Sequence, residues 1–214
     1  MKQGLQPCSH RLSALTESNE KGVSIAVLTL DSKPVRQQSG KPVIATTLAI
    51  RLILDRAAST EEAVTLFEKY DMFASSGRDY HFYVTDSNGD GRVIEYDCNS
   101  NDRRLVVTKS PAVTNFFVMY KNFVKPYQKN GVYGHGRERY DKIINVLEKN
   151  NSHTKETAWE ALVSASQAPN PNDITSNTQW SIVYDNTNLT ADISIRRDWN
   201  TVTKYSLKEN KITE

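Results

Sequence analysis

The chain has 214 residues, 38% hydrophobic and 24% charged, with 27 Lys+Arg against 25 Asp+Glu for a net charge of +2. That length suits one α/β or α+β core and is short for two ordinary domains, and the composition excludes a disordered or fibrous chain. Both charge signs are spread along the sequence with no basic face for a nucleic acid, no apolar run approaches the roughly 20 residues that span a bilayer, and Met1 to Pro7 lack the apolar stretch of a signal peptide, so a cytoplasmic protein with neither nucleic acid nor membrane as partner is expected.

The first strong element is Val23 to Leu30, almost continuously apolar and β-branched after a glycine, which reads as a strand buried on both faces. A polar loop with Pro and Gly, Asp31 to Pro42, follows. Leu48, Ile50, Leu52, Ile53 and Leu54 then recur at helical spacing from Thr46 to about Ala58. Ser59-Thr60-Glu61-Glu62 offers a cap and first-turn acids for a second helix reaching Tyr70. Tyr80 to Val84 and Arg92 to Tyr96 flank the turn-rich Asp86 to Gly91 and predict a hairpin, with Leu105 to Thr108 and Ala112 to Val118 as further strands of the same sheet.

Helical periodicity returns at Tyr140, Ile143, Ile144 and Leu147, and again from Thr157 to Ser166. After the Pro169-Asn170-Pro171 break, Gln179 to Tyr184, Ala191 to Ile195 and Val202 to Leu207 read as three more strands. Antiparallel strands interrupted by helix pairs predict an α+β protein with two stacked sheets covered by helices, not a parallel βαβ fold.

Two features invite a metal or redox reading. Asp86-Ser87-Asn88-Gly89-Asp90-Gly91, with Asp97 at the twelfth position, imitates the first half of a calcium loop, but strand-like flanks favour a hairpin turn built from the same residues. Cys8 and Cys98 fit no zinc spacing and are read as free thiols. No cofactor or metal is expected.

Three polar residues stand out by context. Asn19, in Asn19-Glu20-Lys21-Gly22, projects at the leading end of the first buried strand. Asn115 is enclosed by apolar strand residues, where an amide must find partners. Arg139 lies at a helix start, where the positive end of the dipole disfavours a cation that lacks compensation. Together with Tyr80-His81-Phe82, Asp86, Gly89, Val93-Ile94-Glu95-Tyr96, Val113-Thr114-Asn115, Arg139-Tyr140 and Trp180 to Tyr184, these segments resemble the choloylglycine hydrolase family of bile salt hydrolases and penicillin V acylases.

The resemblance implies one domain over residues 1–214, a four-layer αββα sandwich of the N-terminal-nucleophile hydrolase type, and hydrolysis of the linear amide of an N-acyl small molecule such as a bile-salt conjugate or penicillin V. An N-terminal Cys attacks and its own α-amine, with a reference pKa near 8, moves the proton. By position Asn19 resembles the oxyanion-hole Asn, Asn115 the other active-site Asn and Arg139 the active-site Arg. His81 and Glu95 are assigned to structure. The family's nucleophile hairpin should precede Asn19, yet only ten residues separate Cys8 from it, too few for two strands of about 5–6 residues and their turn. The expectation is therefore a chain lacking the nucleophile hairpin and its first strands, inactive unless an N-terminal segment or a homo-oligomer completes it, with a binding domain as the alternative.

Overall fold

The computed structural model describes residues 16–129, 131–152, 154–172 and 177–213. Its pivot is β2 (Ser24–Leu30), which pairs antiparallel with the short β1 (Thr16–Ser18) on one side and with β5 (Asp79–Thr85) on the other. β6 (Gly91–Tyr96) and β7 (Leu105–Lys109) continue the sheet in the order β1-β2-β5-β6-β7. Strand alternation then divides the side chains between two different environments.

On one face, Val23, Ile25 and Val27 are at most 5% exposed and join Phe82, Val84 and Ile94 in the larger core. α1 (Thr46–Arg56) and α2 (Thr60–Phe67) cover that face, α1 through Ala49, Ile50, Ile53 and Leu54, a stripe one helical turn apart. α2 starts where Ser59 accepts the Glu62 N–H, and ends by tilting the Phe67 ring onto Phe82 at 4.7 Å. A two-stranded parallel sheet, β3 (Val43–Ala45) with β4 (Asp71–Phe73), frames this helix pair.

On the other face, Ser24, Ala26 and Leu28 lie beside Thr85, Tyr83 and His81 of β5. This side meets the second sheet, β8 (Trp180–Asp185), β9 (Thr190–Ile195), β10 (Thr203–Ser206) and β11 (Lys211–Thr213), ordered β11-β10-β9-β8. α3 (Arg137–Lys149) and α4 (Lys155–Ala165) pack on each other, and α4 lies against β8. The layers are therefore helix pair, sheet, sheet, helix pair, the αββα order that the resemblance implies.

The sheets are pinned where the β8–β9 turn meets the start of β2. Asn186 accepts the Ser24 hydroxyl at 2.5 Å and donates to the Thr85 hydroxyl at 3.3 Å. Gly22 has φ +77°, and a Cβ there would stand 2.4 Å from the Asn186 carbonyl oxygen, so a side chain is excluded twice over.

Two expectations are corrected. Val23 to Leu30 is a strand, but Ala26 and Leu28 are only half-buried, because that face is open. Ala112 to Val118 is not a strand: it runs irregularly into a 3-10 helix, Val118–Phe123, because Glu95 captures the amides that begin the helix. The hairpin turn is as read. Asp86 accepts the Asn88 and Asp90 N–H groups on one oxygen and the Thr60 N–H on the other, while Asp97, at the far end of β6, is held by Tyr120, Asn99 and Arg104. A strand's length thus separates the two acids that a calcium loop would need together. Among the described residues no helix is long and apolar enough to cross a membrane.

Candidate active site

Asn115 and Arg139 come together at the far end of β2. The Asn115 Nδ2 donates to the Thr29 carbonyl at 3.0 Å and approaches the Thr29 hydroxyl at 3.4 Å, while Arg139 donates to Asn115 Oδ1 at 3.0 Å. A guanidinium can only donate, so this bond fixes which end of the amide carries the oxygen and turns the N–H groups toward Thr29.

The backbone around Asn115 is fastened from several sides. Its carbonyl takes the His135 N–H at 2.9 Å, and the Thr114 hydroxyl donates to the Gly136 carbonyl at 2.9 Å. A Cβ on Gly134 would lie 2.2 Å from the Asn115 carbonyl oxygen, and one on Gly136 would lie 2.2 Å from the Arg139 guanidinium. Both glycines have positive φ, so this close approach and the backbone turn demand the same residue. His135 also pairs with Asp31, just beyond β2, at 2.7 Å, which ties the Asn115 segment to the strand it faces.

Arg139 sits in the first turn of α3 with its side chain 17% exposed, and its nearest acid, Glu138, is 3.9 Å away. Burial pulls the guanidinium below the usual arginine range, with Glu138 opposing the shift. An under-compensated cation of this kind favours negative charge developing nearby.

Asn115 and Arg139 line a cleft of about 600 Å³ between the five-stranded sheet and α4, along the edge of β8. Ala26 and Leu28 form its floor, Leu162 its roof and Trp180 and Ile182 its wall. A second hollow of about 710 Å³ continues along the same edge, sharing Tyr83, Ala158 and Tyr184. β8 ends its sheet, with β9 its only partner among the described residues, so this space lies where the sheet layer would extend. Burial, with Tyr140 and Asp90 nearby, pushes the Tyr83 hydroxyl up to about 12, so it stays a neutral donor, here to the Ser110 carbonyl at 3.0 Å.

Asn19 is elsewhere. The length of β2, about 20 Å by strand geometry, separates it from Thr29. Its Nδ2 donates to the Leu54 and Ala57 carbonyls at 3.0 and 2.9 Å, closing the end of α1, and its Oδ1 accepts the Lys21 and Val23 N–H groups. Both N–H groups are committed to the helix, so this side chain braces α1 against β2 and has no donor left for an oxyanion. Thr29, which sequence reasoning passed over, is the residue that Asn115 meets, and the pattern of β2 carries no sign of it.

Cys98 is a free thiol in the β6–β7 turn, away from this cleft, and burial raises its pKa. Cys8 lies outside the described residues.

With this geometry in place, the relatives are informative. A family model described as acyl-coenzyme A:6-aminopenicillanic acid acyl-transferase matches residues 14–199. Two solved variants of the conjugated bile acid hydrolase from Clostridium perfringens superpose with TM-scores of 0.70 and 0.68, at 14% and 15% identity, each covering 92% of this chain and 75% of the other. Penicillin V acylase from Agrobacterium tumefaciens superposes with a TM-score of 0.67 at 17% identity, over 92% of this chain and 67% of the other. No curated protein matches in sequence. The neighbours are the two kinds of enzyme to which the sequence resemblance points, and their fold is shared. The chain belongs to the acyl-coenzyme A:6-aminopenicillanic acid acyl-transferase family.

Proposed function

We propose that this chain forms the body of an enzyme that cleaves the linear amide of an N-acyl small molecule, with a hydrophobic acyl group seated against Ala26, Leu28 and Leu162. The observation that carries this reading is the Arg139–Asn115–Thr29 chain of hydrogen bonds at the side of an apolar cleft. With Arg139 fixing the amide, giving up the weak 3.4 Å approach to the Thr29 hydroxyl would free one Asn115 N–H for the carbonyl oxygen of the substrate. An aimed donor of this kind is worth about 3 kcal/mol in the transition state. Asn19 serves as the brace of α1, and Asn115 and Arg139 are the reaction's polar groups.

The nucleophile in this reading is an N-terminal Cys whose α-amine takes the thiol proton and returns it to the leaving amine, leaving a thioester that water resolves. The slot beside β8 supports a complementing N-terminal segment as its source. Tyr184 of β8 donates to the Thr16 carbonyl at 2.9 Å, so the chain enters the described structure at that slot. A segment supplied by another chain, or by a second copy, would occupy the same place. The family's description names acyl transfer, which shares the acyl-enzyme step and differs in the acceptor, so both outcomes should be assayed.

Protein completed by its N-terminal segment is to be given bile-salt conjugates, penicillin V and acyl-homoserine lactones, with release of the free amine followed. Hydrolysis that falls roughly 10²–10³-fold in Asn115→Ala and survives Cys8→Ala is the expected result. Turnover indifferent to Asn115 and Arg139 would sink the reading. A binding domain is the second reading, favoured by a cleft with no cysteine among its described lining residues. Saturable binding of these amides without turnover, in a protein completed by its N-terminal segment, would decide for it.

A further inference from the structure

The inner face of the five-stranded sheet carries a buried ionisable pair that the proposed reaction does not use. His81 and Glu95 are both 0% exposed, on neighbouring strands β5 and β6, with His81 Nδ1 3.1 Å from Glu95 Oε1. Glu95 reaches further. Its Oε1 accepts the Val118 N–H at 2.7 Å and its Oε2 accepts the Met119 N–H at 2.9 Å. Three N–H groups thus converge on two carboxylate oxygens inside the protein. A carboxylate only accepts, so it takes all three, whereas a carboxamide would turn a donor toward one of them. The remaining His81 nitrogen, Nε2, has no hydrogen-bond partner among the described residues.

Val118 and Met119 open the 3-10 helix and lie three and four residues after Asn115. Phe116 and Phe117, between them, are 0% exposed, and the Phe117 N–H is taken by the Tyr133 carbonyl. The short, rigid path from Glu95 therefore leads to the side chain that Arg139 orients. A buried charge is costly to retain unless it is fully hydrogen-bonded, and here those bonds are spent on the turn that carries Asn115.

We propose that Glu95, held by His81, is a positioning residue for Asn115: its carboxylate fixes the Asn115–Met119 turn so that the Asn115 amide lies over Thr29. The positioning itself is a statement about structure; its value to catalysis rests on the function proposed above. The test separates the two. Side-chain amide resonances of Asn115 and Asn19 are followed by NMR in the full chain and in Glu95→Gln. The expected result is a shift or broadening of the Asn115 pair with the Asn19 pair unmoved, together with faster hydrogen exchange at Val118 and Met119. Equal perturbation of both asparagines, or of neither, would overturn the proposal.

Should Glu95→Gln fail to fold, the unaltered protein gives its own answer. Val118 and Met119 amides should exchange as slowly as those of β5 and β6, and exchange as fast as in the 99–102 turn would overturn the idea. His81→Asn, which can keep a donor near the Nδ1 position, should preserve the Asn115 resonances better than His81→Ala; the reverse order counts against the pair. In a form that turns over substrate, Glu95→Gln should lower kcat by about tenfold or more with KM within about threefold. Absence of any hydrolysis in the unaltered protein completed by its N-terminal segment would defeat the functional reading and leave the NMR test standing.

Discussion

The two faces of the five-stranded sheet are made by the same strands and serve different ends. Toward α1 and α2, alternate residues are large and apolar and pack to exclusion of solvent. Toward the second sheet, Ser24, Ala26, His81 and Glu95 are small or polar, Val93 joins a second, smaller core with Phe116, Val118 and Tyr140, the space beside β8 is open, and the buried His81–Glu95 pair and the Asn115–Arg139 contact gather there. A strand with period two can thus assign stability to one face and chemistry to the other without compromise along its length. The cost of an open face is borne by the closed one.

The sharpest way to break that division is to cut into the closed face. Phe82→Ala should lose about 3–5 kcal/mol of stability by urea denaturation, enough to threaten folding, because Phe82 is 1% exposed and meets Phe67. Asn19→Ala should lose about 1–3 kcal/mol, since two carbonyls at the end of α1 lose their donors, and should spare the Asn115–Thr29 contact. A loss confined to activity would return Asn19 to the reaction. Leu28→Ala, on the open face, should cost only about 1 kcal/mol, as a half-buried side chain leaves little cavity. A loss near that of Phe82 would mean that the open face is as tightly packed as the closed one.

The smallest effect is a pH dependence at the edge of the closed face. Lys109 and Thr60, with Arg92, hold the Asp90 carboxyl well below the usual carboxylate range, and Thr60 is the first residue of α2. A lowered pKa stabilises the folded state above the unfolded value near 4, and that contribution fades as pH falls through the folded value. Asp90→Asn should therefore cost about 1 kcal/mol at neutral pH, and the gap to the unaltered protein should narrow below about pH 4. A gap that widens on acidification would reverse the assignment.

Legibility in the sequence followed length and period. β2, the β5–β6 hairpin and all four helices were visible because apolar residues repeat over several turns or strand pairs. β1, β3, β4 and β11 escaped, each three residues long and so too short to show a period, and β3 and β4 pair with each other only across the whole of α1 and α2. The segment 112–118 is apolar and β-branched enough to suggest a strand, and only the distant Glu95 carboxylate turns it into a helix start. Asn115 and Arg139 are picked out by their positions in the family resemblance, since an enclosed amide and a cation at a helix start, taken singly, fit ordinary structural roles as well. Asn19 was conspicuous for the opposite reason: a buried asparagine that braces backbone looks, in sequence, like one that serves a substrate. Thr29 could not be seen at all, since its principal contribution is a backbone carbonyl.

The unpaired side of β8 has a consequence for handling the protein. Among the described residues, the outer edge of β8 beside apolar Trp180 and Ile182 has no strand partner, and such an edge is a template for pairing with an extended chain. Solutions of the isolated chain should accordingly lose clarity as they are concentrated, with β-structured self-association outpacing loss of fold, and a short peptide able to lie along that edge should act as a solubiliser long before it acts as anything else.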